Sequence, residues 1–107
     1  MKYPVYILPE AKGDIEDIAL YMLHADGVSV AEALCTGIEE KCQSLDQYPE
    51  RGHVVPELKR LGIDYFKEVH YKSYWIIYQI IDKNVFVHCV LDGRRDLRDL
   101  LAFRILR

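Results

Sequence analysis

The sequence predicts an α+β fold in the order β-α-α-β-β-β-α. It is a helical hairpin packed on one face of a mostly antiparallel four-stranded sheet, with a short C-terminal helix. Three observations predict it. Residues 9–26 and 30–47 carry apolar side chains at helical spacing, broken at Asp26-Gly27. Residues 65–71, 74–81 and 85–91 are three runs rich in aromatic and β-branched residues, joined by short turns, which makes them a meander. The remaining strand candidate, residues 3–8, reaches that meander only through the helices, which therefore lie to one side of the sheet.

Each element has its local reason. Tyr3 to Leu8 is apolar at both parities, which suits a strand covered on both faces, and Pro4 suits an edge or first-strand position. Pro9 opens the first helix, where its missing N–H is harmless. Ala11, Ile15, Ile18, Met22 and Ala25 form its buried stripe, with Asp14 at the border. Gly27 stops it as a left-handed cap. Ser29-Val30-Ala31-Glu32 reads as a capping box opening a second helix over about 30–47. Ala31, Leu34, Ile38, Cys42 and Leu45 form the stripe there, with Cys35 beside it. Tyr48-Pro49 ends it.

Residues 49–64 form a connector, punctuated by Pro49, Gly52, Pro56 and Gly62, with a helical turn at Glu57 to Leu61. Asp82-Lys83-Asn84 is a tight hairpin turn between the last two strands. Asp92-Gly93 ends the last strand, and Asp96 and Asp99 cap a helix carrying Leu97, Leu100, Leu101 and Ile105.

Strand parity divides the sheet into a core face and an open face. Val85, Val87, Cys89 and Leu91 form a wholly apolar set that suits the core. The same logic puts Val69 and Tyr71 in the core. Glu68, His70, Trp75, Gln79, Phe86 and His88 are left on the open face. A surface both polar and aromatic suits binding, unless the C-terminal helix folds back over it.

Composition and charge exclude several classes. At 107 residues, 50% hydrophobic and 29% charged, the chain is expected to be a single globular domain spanning 1–107. The net charge of -3 argues against binding nucleic acid through bulk positive charge. No run is long and apolar enough for a membrane span, and the N-terminus lacks the pattern of a signal peptide, so no membrane partner and a cytoplasmic location are expected. The charge is unevenly placed. Residues 1–62 carry 6 Lys+Arg and 11 Asp+Glu, and residues 63–107 carry 8 and 6. Arg94, Arg95, Arg98, Arg104 and Arg107 crowd the end. Arg104 and Arg107 suit a solvated helix C-terminus. Arg94 and Arg95 precede the helix and suit a partner, or a carboxylate of the first helices.

The cysteines are Cys35, Cys42 and Cys89. The first two, seven apart in a helix, lie about 10 Å apart, too far for a disulfide. None has zinc-ligand spacing with a histidine, so three buried thiols and no metal or other cofactor are expected.

The stretch PELKRLGIDYFKEVHYKSYWIIYQIIDKNVFVHCVLDGRRDLRDLL resembles the C-terminal half of the RelE/ParE superfamily, the toxins of type II toxin–antitoxin operons. The first strand and helix, with Pro9-Glu10-Ala11 and Asp14-Ile15-Ile18-Tyr21, are similar too, as is Leu45-x-x-Tyr48-Pro49-x-x-Gly52. The ordered set with Ile77-Tyr78-x-Ile80 and Gly93-Arg94-Arg95-Asp96 carries the resemblance over nearly the whole chain. It implies the α+β fold reached above, a cognate antitoxin protein as partner within a toxin–antitoxin hetero-oligomer, and one of two activities. ParE-like members inhibit DNA gyrase. RelE-like members cut mRNA on the ribosome.

RNA cleavage through the 2′-OH needs a base, an acid and cations on the scissile phosphate. Lys67 and Arg95 match basic positions of the family, and Glu68, His70 and His88 are acid–base candidates. Lys67, Glu68, His70 and Arg95 are thus the set an endoribonuclease would use. The family's RNases tend to place Arg after the Tyr that opens the middle strand, and here that residue is Trp75. They often carry Tyr or His in the final helix, where Leu100, Leu101 and Phe103 stand. These departures favour the ParE-like branch: a growth-inhibiting plasmid-stabilisation toxin that binds gyrase. The alternatives are a RelE-like endoribonuclease and a non-toxic remnant that keeps only its affinity for antitoxin. Under the favoured reading, Trp75, Gln79, Phe86, His88, Arg94, Arg95 and Arg98 are the candidate docking residues for target or antitoxin.

Overall fold

The computed structural model describes residues 2–95 and 97–106, with the side chains of residues 97, 98 and 106 left out. The capping role expected of Asp96, the docking role of Arg98 and the helix-end role of Arg107 fall outside it.

The chain begins with a short strand, β1 (Val5–Ile7), followed by α1 (Pro9–Asp26) and α2 (Val28–Gln43). After two 3₁₀ turns come β2 (His53–Val54), α3 (Pro56–Lys59), β3 (Phe66–Tyr71), β4 (Tyr74–Ile81), β5 (Asn84–Asp92) and α4 (Leu97–Leu106). The sheet order is β1-β5-β4-β3-β2. The meander is antiparallel as expected, and β1 joins its β5 edge in parallel. The sheet has five strands rather than four. The extra one, β2, is two residues from the expected connector, and its His53 and Val54 pair with Glu68 and Lys67. So short a strand carries no readable alternation.

Gly27 turns the hairpin in one residue. At φ 93° it ends α1, its N–H donating to the carbonyls of Met22 and Leu23, and its own carbonyl accepts from Ala31 N–H. That geometry favours glycine. It also removes the expected capping box: α2 starts at Val28 with Gly27 as its cap, so Ser29 and Glu32 lie inside the helix. The helix then gives way to 3₁₀ geometry at Ser44–Asp46, short of the expected end near residue 47. The β4–β5 turn matches expectation, with Asp82 and Lys83 both at positive φ.

The core lies in two layers, one on each face of the sheet. On the hairpin side, Ala11, Ile15, Leu34, Ile38, Cys42 and Leu45 pack on Tyr74, Ile76, Tyr78, Val85, Val87 and Val90. On the opposite side, Val55, Leu58 and Leu101 pack on Phe66, Ile77, Cys89 and Leu91.

The set Val85, Val87, Cys89, Leu91 is therefore split between the two faces. The register explains it: Tyr78 pairs with Val87 but Ile77 pairs with Cys89, leaving His88 as the extra residue of a β-bulge. Past a bulge, side-chain parity reverses. Val90 thus takes the hairpin face, and Cys89 and Leu91 join the other.

Two of the three thiols, Cys42 and Cys89, are buried, and burial pushes both up to about 12. Cys35 corrects the third expectation. It is only partly buried, and its Sγ lies 3.1 Å from Glu39 Oε1. No helix among the described residues is long and apolar enough to cross a membrane.

Candidate functional site

The candidate residues fall in two places: the second face of the sheet and the end of the sheet where β5 leaves it.

The second face is not open along its length. Helix α4 folds back over it, with Leu101 fully buried and Leu100 and Ile105 against the same layer. Trp75 is drawn into that layer and stacks on His70, with ring centroids 4.8 Å apart. Gly93 makes room for the indole, since a Cβ there would collide with Trp75 Nε1. Trp75 is thus wedged between Gly93 and His70 rather than freely presented.

On the same face an aromatic row crosses the sheet at one level. Tyr6 pairs with Phe86, Phe86 with Gln79, and Gln79 with Phe66. Tyr6 and Phe86 stack at 5.4 Å. The bulge places His88 in this row, its Nε2 3.2 Å from Gln79 Oε1 and its ring edge-on to Phe66. Burial lowers the pKa of His88, partly opposed by Glu10. Gln79, Phe86 and His88 are therefore brought together as expected.

Glu68 lies deeper than expected, only 6% exposed. Its Oε1 sits 3.2 Å from His70 Nε2, and its Oε2 has no hydrogen-bond partner among the described residues. Burial raises its pKa, with His70 pulling the other way. Lys67 is placed apart from this pair. It is paired with Tyr78 on the hairpin face, the face opposite Glu68, and its Nζ is 3.9 Å from Glu50. Lys67, Glu68, His70 and Arg95 thus do not converge as one acid–base set. Among the described residues no group of His, Cys, Asp or Glu could hold a metal ion.

At the end of the sheet, Arg94 grips Asp92 through two hydrogen bonds, Nε to Oδ1 at 3.0 Å and Nη2 to Oδ2 at 2.8 Å. The carboxylate expected in the first helices is therefore supplied by Asp92 instead. The guanidinium holds the Asp92 carboxyl below its usual range. Arg94 remains exposed and lines a cleft of about 590 Å³ with Tyr21, Met22, Val30, Lys72 and Tyr74. A neighbouring cleft of about 380 Å³ shares Arg94 and adds Arg95 and Asp17. This end offers cations and exposed aromatic surface together.

Arg104 is not the solvated helix end the sequence suggested. Its Nη1 and Nη2 donate to Asp14 at 2.9 and 3.0 Å, and its Nε donates to Glu10 at 3.2 Å. Asp14 Oδ2 also accepts the Val90 N–H at 2.9 Å. This clasp ties α4 to α1. The sequence showed Asp14 at the border of its stripe, but nothing local linked it to a residue ninety positions on.

Residues 5–97 match the family described as the ParE toxin of the type II toxin–antitoxin system parDE. The chain belongs to this ParE toxin family. It is a type II toxin–antitoxin toxin of the RelE/ParE superfamily, as the resemblance implied. Its fold is similar to that in the chromosomal ParDE toxin–antitoxin system of P. aeruginosa. There the TM-score is 0.70 at 13% identity, covering 83% of this chain and 94% of that one. It is also similar to the RelBE2 toxin–antitoxin complex of Mycobacterium tuberculosis, with TM-score 0.59 and 20% identity, covering 86% and 92%. Curated proteins give no match to this ParE-family chain.

Proposed function

We propose that this ParE-family toxin acts in the cytoplasm by binding and inhibiting DNA gyrase, and that a cognate antitoxin neutralises it. The observation that carries the reading is the separation of the acid–base candidates. Lys67 lies across the sheet from Glu68 and His70, and Glu68 is buried. Cleavage of RNA needs such groups gathered on one phosphate, whereas inhibition by binding needs only a complementary surface. The cationic clefts around Arg94 and the row of Phe86, Gln79 and His88 supply such a surface. The match to the ParE family supports the same target.

The test is to add the purified chain to gyrase in a supercoiling assay and to map mRNA ends in cells expressing it. Supercoiling should be lost with mRNA intact, and adding the antitoxin should restore it. Cleaved mRNA with unimpaired gyrase would establish the ribosome-dependent endoribonuclease instead. Harmless expression would leave a remnant that only binds antitoxin.

A further inference from the structure

Two clefts meet at Arg94, between the hairpin and the end of the sheet. The larger, of about 590 Å³, has two unlike walls. One is apolar, built by Met22 and Ala25 of α1 and by Val30, Ala33 and Leu34 of α2. Val30 is 42% exposed there. The other is polar, built by Lys72 and Ser73 of the β3–β4 turn, by Tyr74 and by Arg94. The Gly93 N–H donates to the Ser73 carbonyl at 2.7 Å, which fixes Arg94 beside that turn.

Tyr74 stands out on the polar wall. It is only 6% exposed, yet it lines both clefts. Its hydroxyl has no hydrogen-bond partner among the described residues and is not sealed from solvent, so it opens into the clefts. Burial and the Asp92 carboxylate raise its pKa, with Arg94 opposing, so at neutral pH it is a protonated donor. Arg94 is likewise held in place. Asp92 takes its Nε and Nη2, and its Nη1 has no acceptor among the described residues. Donors fixed by packing and left unused suit an anionic acceptor.

Charge selects the occupant. The larger cleft sets Lys72 and Arg94 against one carboxylate, Asp26. The smaller balances Arg94 and Arg95 against Asp17 and Asp92, so the excess positive charge lies in the larger. A second copy of this chain would set cation against cation across a symmetric interface. A carboxylate beside an aliphatic side chain matches both walls, and tyrosine with arginine is the pair on which such contacts concentrate their energy.

We propose that the larger cleft seats an acidic side chain of the toxin's protein target, its carboxylate on the Tyr74 hydroxyl, Arg94 and Lys72, with the apolar side chain next to it on the hairpin wall. The inference rests on the reading that the chain inhibits gyrase by binding it, and adds to that reading the seat and the chemistry of the bound segment.

The test titrates the purified chain against gyrase holoenzyme in the supercoiling assay. Tyr74→Phe removes only the unused hydroxyl. It should leave the melting temperature unchanged and raise the half-inhibitory concentration about tenfold or more. Lys72→Glu, at an exposed turn, should raise it about fivefold or more and reduce its salt dependence. Wild-type potency in both variants would overturn the cleft proposal and leave the gyrase reading intact. No inhibition by the wild-type chain would overturn both. Weakened antitoxin binding by Tyr74→Phe with supercoiling inhibition unchanged would assign the seat to the antitoxin, also overturning the proposal.

Discussion

Replacing Arg104 by Met should loosen α4 from the rest of the molecule. The guanidinium makes two hydrogen bonds to Asp14 and one to Glu10. The Arg104 and Asp14 side chains are only 14% and 15% exposed. Methionine keeps much of the aliphatic stem, so the change removes charge more than packing. It leaves the Asp14 carboxylate in a partly desolvated place, with the Val90 N–H as its remaining hydrogen-bond donor among the described residues. A fully buried pair broken from one side loses about 3–5 kcal/mol, and an exposed pair loses under about 1. The intermediate burial here gives about 2–3 kcal/mol, or roughly a 30- to 150-fold shift in the docking of α4.

Hydrogen exchange of the α4 amides and Trp75 fluorescence would read that shift directly. Asp14→Asn keeps an acceptor for Val90 N–H but removes the charge. The double variant Asp14→Asn, Arg104→Met should therefore be more stable than the sum of the single losses, by about 1 kcal/mol or more. Unchanged α4 exchange in Arg104→Met, or strict additivity in the double variant, would refute the clasp.

Two further outcomes follow from buried groups. The pKa of Glu68 is raised on folding above its ordinary 4.5. A raised carboxyl contributes most to stability below its unfolded pKa and loses that contribution as pH rises through the folded value. Relative to Glu68→Gln, the wild-type chain should thus lose unfolding free energy as pH climbs from about 4.5. A pH-independent difference in urea melts would contradict this. Gly93→Ala should lower stability by about 1–3 kcal/mol, because the new methyl group meets Trp75 and the Ser73 carbonyl 3.0 Å away. A thermal melt matching wild type would show that Trp75 moves aside freely.

Elements whose causes are local were legible in the sequence. Pro9 and Gly27 bound α1, and the Asp82-Lys83 turn aligns β4 with β5, because proline, glycine and turn residues act within a few positions. The site was legible only in part. Parity correctly grouped Gln79, Phe86 and His88, since the middle of β4 and the start of β5 keep a regular register. It failed beyond His88, where one extra residue turns Cys89 and Leu91 onto the opposite face. Bulges arise from pairing with a neighbouring strand, and no spacing within β5 announces one.

The sequence by itself determined the order of elements, the hairpin, the meander and the family, all of which rest on periodicity and short motifs. Only the tertiary structure decided which surfaces remain available. It folded α4 over Trp75, joined Arg104 to Asp14 across ninety residues, buried Glu68 and set Lys67 on the other side of the sheet. Such outcomes depend on which side chains are brought together by packing between elements distant in the chain, and that is information a local pattern does not contain.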